Sequence, residues 1–278
     1  MSAPGLPELD GKEFAETRDT LHAYARVLGN LLKAHRPKRK HWWHASLRPS
    51  LAGLTTGVIR ASTDFEFELN LRESLLHGRT ASGGRLREDL RGQSAAELAS
   101  AVNGFLAKCG IERRPAPQGS DGAGDTSYVP AQAGALGQAL NWVTGELEAF
   151  RAGIREETSP IQLWPHHFDL SMLWLPGGTV PGQDPADEEN SDPQMNFGFT
   201  FGDETIREPY FYATAYPLPP ALQTIDWPTG TRWYSEGFDG AVLPYRVLRA
   251  QTDPRAYLAY LWAALLSAGR EHMPSALL

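Results

Sequence analysis

One alternating stretch near the middle of the chain limits what the chain can fold into. Between Pro160 and Trp174, apolar and polar side chains alternate from His167 onward. Successive side chains of a β-strand point to opposite faces. The apolar face would hold Phe168, Leu170, Met172 and Trp174, and the polar face His167, Asp169 and Ser171. The pattern therefore predicts a half-buried strand over residues 162–175, whose second face is free to carry an imidazole and a carboxylate.

Other periodic stretches predict the remaining elements. Apolar residues at three- and four-residue spacing predict helices over residues 19–36, 94–110, 134–157 and 253–269. Alternation predicts strands over residues 41–48, 54–59, 65–71, 74–79, 196–201 and 209–216, and a hairpin at 233–243. These elements predict an α+β fold of largely antiparallel sheet flanked by helices, in a single domain over residues 1–278.

The two halves of the chain resemble each other in the order of their predicted elements. Each half runs from a helix through a His-rich strand and further strands to a capped helix that ends in glycine. The pseudo-repeats cover about 15–111 and 133–270, and a Pro/Gly-rich connector at 112–132 joins them. The sequence therefore predicts an internal duplication.

This duplication predicts which polar residues meet. Aligning Trp43 with Phe168 places His44 on Asp169. Two copies of one unit would bring the His-rich strands near a pseudo-two-fold axis. We therefore expect His44, His167 and Asp169 to converge.

Composition excludes several classes of protein. With 41% apolar and 21% charged residues, the chain has ample material for a core. Its formal charge of −7 argues against nucleic-acid binding, which needs a basic face. Cys109 is the only cysteine, which excludes an intrachain disulfide and a thiolate metal cage. No apolar run approaches the ~20 residues of a membrane span, and Met1–Asp10 lacks signal-peptide features, so we expect a cytoplasmic protein.

The candidate catalytic residues are His44, His167 and Asp169. Asp169 would orient a histidine for acid/base chemistry near neutral pH. Two imidazoles and a carboxylate are also a common metal ligand set, but no motif with metal-ligand spacing occurs, and no metal is predicted. The alternative is that these polar groups on strand faces only hydrogen-bond to one another or to loops. No cofactor and no oligomeric state follows from the sequence.

Further side chains are candidates for binding a ligand. Tyr210, Tyr212 and Tyr216 share one face of a predicted strand and could line a pocket, or form a structural ladder of tyrosines. His22 lies near the start of the first helix, where packing against the sheet is the alternative role. The full set is His22, His41, Trp42, Tyr210, Tyr212 and Tyr216.

A set of short motifs resembles a known bacterial family, the domain of unknown function 5996, over residues 19–268. The motifs are Arg18-Asp19-Thr20-Leu21-His22, His41-Trp42-Trp43-His44, Gly53-Leu54-Thr55-Thr56, Ser159-Pro160 through Phe168-Asp169-Leu170, Pro209-Tyr210-Phe211-Tyr212-Ala213, Tyr216-Pro217, and Leu243-Pro244-Tyr245 before Asp253-Pro254. The resemblance implies no activity. Members often have Trp-Gly-Ser where this chain has Pro165-His166-His167, so Asp169 is a better family-wide candidate than His167.

Two functions fit these patterns. The first is binding of a small polar or aromatic molecule in a cleft lined by Trp, Tyr and His, with or without hydrolytic or isomerase-like turnover. The alternative is a non-catalytic interaction module whose exposed aromatic side chains cover a partner or a dimer surface. An enclosed pocket at His44 and Asp169 would favour the first function, and an exposed aromatic patch the second.

Overall fold

The fold is α+β, as the sequence predicts, with two antiparallel sheets. The computed structural model describes residues 5–112 and 127–273. The chain divides into two compact units. The first unit holds the residues up to 142 together with 162–168, and the second holds 143–161 and the residues from 169 onward.

The described chain contains helices α1 Gly11–His35, α2 Ala95–Lys108, α3 Pro130–Ala152, α4 Glu188–Ser191, α5 Tyr245–Arg249 and α6 Pro254–His272. The strands of the first unit are β1 Arg48–Ser50, β2 Gly53–Thr55, β3 Phe65–Asn70, β4 Leu75–Thr80, β5 Arg85–Asp89 and β7 Gln162–Trp164. Those of the second are β6 Glu157–Thr158, β8 Asp169–Leu175, β9 Gln194–Thr200, β10 Tyr210–Tyr216, β11 Arg232–Tyr234 and β12 Gly240–Pro244. Short 3-10 helices lie at Lys40–Ala45 and Pro220–Gln223.

The first unit is built on an antiparallel sheet in the order β1-β2-β3-β4-β5. The predicted alternation of β3 is confirmed, because Phe65, Phe67 and Leu69 are buried. The predicted start of α2 is also confirmed: Ser94 and Glu97 form a reciprocal capping box, which satisfies donors at the helix start.

The second unit is built on an antiparallel sheet in the order β11-β12-β10-β9-β8-β6. The second half of α3 and helix α6 cover its apolar face, where Phe150 lies 5.0 Å from Phe197 and 5.3 Å from Trp262 between ring centroids. Gly269 does not end α6, which continues to His272. A side chain at position 269 would overlap Met195, so this glycine serves close packing of helix on sheet.

The predicted His-rich strand over residues 41–48 is wrong. Lys40–Ala45 forms a 3-10 helix, and β1 begins only at Arg48. His41 and Trp42 have left-handed backbone angles, with φ of 46° and 58°. Two such residues in succession turn the chain sharply, so side-chain alternation there does not reflect a strand.

The predicted strand over residues 162–175 is interrupted. A turn at Pro165–Phe168 separates β7 from β8, and Phe168 has a φ of 57°. A continuous strand runs only from Asp169 to Leu175, and all seven of its residues are buried, so the prediction of a half-buried strand is wrong. His167 lies in the turn and not on the strand.

The predicted duplication loses its evidence from strand phase, because neither His41–His44 nor His166–Phe168 lies on a strand. In the first unit, the order of helix, strands and helix agrees with the predicted repeat. The duplication therefore stays a prediction, and so does the single domain.

Most of the predicted connector, residues 113–126, lies outside the described residues. Within the described ranges no helix is both long and apolar enough to cross a membrane, and the cytoplasmic location stays a prediction.

Candidate functional site

The polar side chains of the second unit lie together on one face of its sheet. Across strands β10, β9 and β8, Tyr212 pairs with Gly198 and Gly198 with Ser171. Directly opposed residues of antiparallel strands point to the same face. The neighbouring row, Tyr210, Thr200 and Asp169, has the same orientation. This arrangement, which we call the Tyr/Asp face, also includes Asn196.

Tyr212 crosses the middle strand to reach Asp169. Gly198 makes this crossing possible, because a Cβ at position 198 would overlap the ring and the hydroxyl of Tyr212. The Tyr212 hydroxyl donates a hydrogen bond to Asp169 Oδ2. Asp169 is 7% exposed, so the carboxylate has lost most of its water and the phenol replaces part of it.

The environment of Tyr212 keeps its phenol protonated. Burial, the charge of Asp169 and the hydrogen bond to that carboxylate all raise the pKa of Tyr212 well above its ordinary value. A hydrogen bond that involves Ser171 opposes this shift. Tyr212 is therefore a fixed hydrogen-bond donor and does not titrate near neutral pH.

A second tyrosine and carboxylate pair lies beside the first. Tyr210 donates a hydrogen bond of 2.6 Å to Asp203 Oδ2, and the ring centroids of Tyr210 and Tyr212 are 6.2 Å apart. Burial, followed by the bond to Asp203, raises the pKa of Tyr210. Tyr210 also packs against Tyr234 and Val242, with Phe238 alongside.

The Tyr/Asp face has polar atoms that are buried without a hydrogen-bond partner among the described residues. They include Asn196 Oδ1 and Thr200 Oγ1. The amide nitrogen of Asn196 lies 3.4 Å from the Tyr212 hydroxyl, to which it donates. An unsatisfied buried polar atom costs about 1–3 kcal/mol. These atoms therefore offer hydrogen-bonding capacity that the protein itself leaves unused.

The residues of the Tyr/Asp face differ in their exposure to solvent. Asp169, Ser171 and Thr200 are buried, whereas Asn196 and Tyr212 are half-buried. A molecule that touches the half-buried residues is thus adjacent to the carboxylate below them. Tyr216 is half-buried too, but the register places it opposite Gln194, at the far end of β10.

The predicted residues His41, Trp42 and His44 lie in the 3-10 helix of the first unit. His44 is 4% exposed, and its Nδ1 accepts a hydrogen bond of 3.2 Å from the Arg39 backbone N–H. Burial, and then the charge of Lys33 and other nearby cations, lowers the pKa of His44. Trp42 stacks on His44 with ring centroids 5.4 Å apart.

His22 and His167 also belong to the first unit. His22 donates through Nε2 to the carbonyl oxygen of His166 at 3.2 Å and stacks on Phe168 at 5.4 Å. No described contact joins His44 to His167. The three residues predicted to act as one catalytic set are therefore divided between the units, since Asp169, bonded to Tyr212, belongs to the second.

Sequence reasoning missed Asn196, Gly198, Thr200 and Asp203. A signal was present for the first three, because Asn196, Gly198 and Thr200 alternate with Phe197 and Phe199 along β9. A glycine within such a strand indicates close approach of another group. Asp203 follows the strand in a loop and gave no comparable signal.

In the described parts of the chain, no group of three His, Cys, Asp or Glu side chains is arranged to hold a metal ion.

Comparison with known proteins gives a family match: residues 6–272 match the family described as "Family of unknown function (DUF5996)". No curated protein matches the chain, and no solved structure matches it.

Proposed function

The chain belongs to the DUF5996 family of unknown function, and from the site itself we propose that it binds a small polar molecule on the Tyr/Asp face of the second unit. Asp169 and Tyr212 form the centre of the proposed site. Asn196 and Thr200 provide further hydrogen bonds to the ligand.

The observation that carries this proposal is the pairing of a buried carboxylate with unused polar atoms beside it. A sheet face needs only apolar side chains to stabilise a core, and each buried polar atom without a partner opposes folding. The Tyr/Asp face nevertheless holds Asn196 Oδ1 and Thr200 Oγ1 without partners among the described residues. Ligand pockets have this character, with a few convergent polar groups among aromatic walls.

The chemistry of the face indicates the kind of ligand. Asp169 and Asn196 Oδ1 accept hydrogen bonds, and Thr200 can donate or accept. The phenol of Tyr212 is already committed to Asp169. A ligand that carries N–H or O–H groups therefore fits best, and the rings of Tyr210 and Tyr212 suit an aromatic or otherwise flat molecule.

The same geometry favours binding over turnover. A general acid or base works best with a pKa near the working pH. The pKa of Tyr212 and that of Tyr210 are both raised from values that are already high. Neither phenol is suited to proton transfer at neutral pH, so we propose a binding protein.

The test is a thermal-shift screen with metabolites that carry N–H and O–H groups, followed by variants. A ligand that binds only the native state raises the melting temperature. We expect Tyr212→Phe and Asp169→Asn to abolish the shift caused by a positive compound. Tyr128→Phe is the matched control, because Tyr128 also donates its hydroxyl to a side chain, Ser74 Oγ at 3.0 Å, but in the first unit.

The outcome separates a ligand site from a structural network. A Tyr212→Phe protein that melts earlier but shows the full ligand shift would contradict the proposal. A shift lost in Tyr128→Phe as well would show that the variants act through general loss of stability.

The alternative function, an interaction module, is favoured by one observation in the first unit. Trp42 is 43% exposed, Leu51 87% and Val58 60%. Large apolar side chains exposed to water are typical of partner surfaces when they are contiguous. Light scattering of the purified protein and of Trp42→Ala tests this function, which predicts a self-associating protein that becomes monomeric in the variant.

A further inference from the structure

The turn between β7 and β8 places two histidines side by side in the first unit. The backbone N–H groups of Phe168 and His167 both donate to Trp164 O, at 2.7 and 3.3 Å. The left-handed conformation of Phe168 closes the turn. The side chains of His166 and His167 are exposed, with ring centroids 4.2 Å apart. The turn thus presents two imidazoles to solvent.

Helix α1 lies directly beneath this turn. A Cβ at Gly29 would lie 2.7 Å from Pro165, so only glycine allows the turn to lie so close to the helix. His22, Arg26 and Lys33 occupy the same side of α1 as Gly29, because positions 22, 26, 29 and 33 follow the 3.6-residue repeat. Arg26 and Lys33, both exposed, therefore flank the turn.

The cluster is positive, and the pKa values of two of its imidazoles, those of His22 and His166, are lowered. Partial burial of the His166 ring, followed by the charges of His167, Lys33, His22 and Arg26, lowers its pKa to about 4. Burial, followed by Arg26, lowers the pKa of His22.

Negative charge is scarce around these groups. Asp19 is the carboxylate that acts on His22, but Asp19 Oδ1 already accepts a hydrogen bond of 2.8 Å from Arg18. Within residues 5–112 and 127–273, Arg26 and Lys33 form no ion pair with a carboxylate. A bound anion would stabilise these two cations, which lower the pKa of the neighbouring imidazoles and form no ion pair within the described ranges.

We propose that His22, Arg26, Lys33, His166 and His167 form a binding site for the phosphate group of a small molecule. Arg26 offers a planar fork of donors that matches phosphate oxygens, and Lys33 offers a mobile charge. The exposed imidazoles supply further N–H donors. A net charge of −7 over the chain repels a polyanion such as a nucleic acid, which favours a small ligand.

Proton uptake accompanies binding at this site. A phosphate dianion favours the charged form of each adjacent imidazole and therefore raises its pKa. Between the free pKa of His166, about 4, and its higher value in the complex, binding takes up protons. Affinity for phosphate therefore falls as pH rises through the pKa of the complex.

Isothermal titration of the full chain with inorganic phosphate and with phenyl phosphate tests the proposal, against sodium chloride at equal ionic strength. The variant Arg26→Gln/Lys33→Gln should bind at least about tenfold more weakly, because hydrogen bonds between charged groups are the strong ones. The control Arg87→Gln/Lys108→Gln removes the same charges from exposed positions of the same unit and should bind as the unchanged protein does.

The two ligands distinguish the source of the phosphate group. Tighter binding of phenyl phosphate identifies an organic phosphate whose ring contacts the aromatic side chains, and equal binding identifies the free ion. Titrations in buffers of different ionisation enthalpy should show proton uptake. Asp169→Asn should leave phosphate binding unchanged, which separates this site from the Tyr/Asp face.

Several results would overturn the proposal. The first is that neither phosphate gives heat of binding up to about 10 mM, a range that includes weak sites. The second is that the two double variants lose affinity equally. The third is that phosphate binds without proton uptake between pH 5 and 8.

Discussion

Arg270 binds both carboxylate oxygens of Glu156, with its Nε 2.6 Å from Oε1 and its Nη2 2.7 Å from Oε2. The pair joins α6 to the segment before β6 within the second unit. Two parallel hydrogen bonds to a charged acceptor are the strongest form of this interaction. They are the main reason that the pKa of Glu156 is lowered from 4.5 to about 2.

The first prediction follows from this lowered pKa. The folded state binds the Glu156 proton more weakly than the unfolded state, so the contribution of the pair is full above pH 4.5 and is lost as pH falls towards 2. We expect Glu156→Gln to cost about 1 kcal/mol at pH 7, since Arg270 is 44% exposed and solvent screens the pair.

Urea denaturation of both proteins at several pH values between 2 and 7 measures this difference. The two stabilities should converge near pH 2. A difference that stays constant over the whole range would show that the pair does not depend on the charge of Glu156.

The second prediction concerns the crossing of Tyr212 over Gly198. Gly198→Ala should lower the free energy of unfolding by about 1–3 kcal/mol, as overpacking does, because the new methyl group overlaps the Tyr212 ring. Gly104→Ala is the matched control: nothing lies within 4 Å of that position, and alanine in an exposed helix adds up to about 1 kcal/mol. Equal stabilities of the two variants in urea would refute the crossing.

The third prediction concerns the hydrogen bond between Tyr212 and Asp169. From the sequence alone, changing Asp169 should cost as little as a surface change if the residue is functional, and about 1–3 kcal/mol if it belongs to a buried network. The structure buries Asp169 and gives it the Tyr212 hydroxyl as a donor. We therefore expect Tyr212→Phe to cost about 1–3 kcal/mol, because the buried carboxylate loses a donor.

Tyr216→Phe, on the same strand face but at its far end, should cost less than about 0.5 kcal/mol. Chemical denaturation of the two variants measures the comparison. Similar losses for both would show that the Tyr212 hydroxyl contributes nothing specific.

The fourth prediction concerns Gly29 and the turn above it. Gly29→Ala places a methyl group 2.7 Å from Pro165, so the turn must shift away from α1 and carry His166 and His167 with it. We expect the imidazole NMR signals of these histidines to move, and phosphate affinity to fall by about tenfold, the effect of losing one good polar contact. The same signals should stay in place in Gly104→Ala.

Local patterns predicted much of the fold because the relevant forces act within a few residues. The alternation over Phe65–Asn70 indicates a strand, and the reciprocal cap of Ser94 and Glu97 indicates a helix start. The strand expected over residues 41–48 failed for a different reason. Apolar and polar residues do alternate there, but the spacing of side chains along the sequence does not reveal the left-handed backbone at His41 and Trp42.

The partner of Asp169 was not predictable for a similar reason. Its contact with Tyr212 depends on the register of three strands and on the absence of a side chain at position 198. No spacing along the sequence links residues 169, 198 and 212. Sequence reasoning identified Asp169 and Tyr212 separately, as a candidate base and a candidate ligand contact, without joining them.

The Tyr212 ring occupies the space that a side chain at position 198 would fill. This shared volume has a genetic consequence. Substitutions at position 198 should be suppressed by second-site changes at position 212 that remove the ring, even though the strands are remote in sequence. Among relatives, a larger residue at 198 should accompany a smaller one at 212. The two positions would then behave in evolution as one site with a fixed total volume.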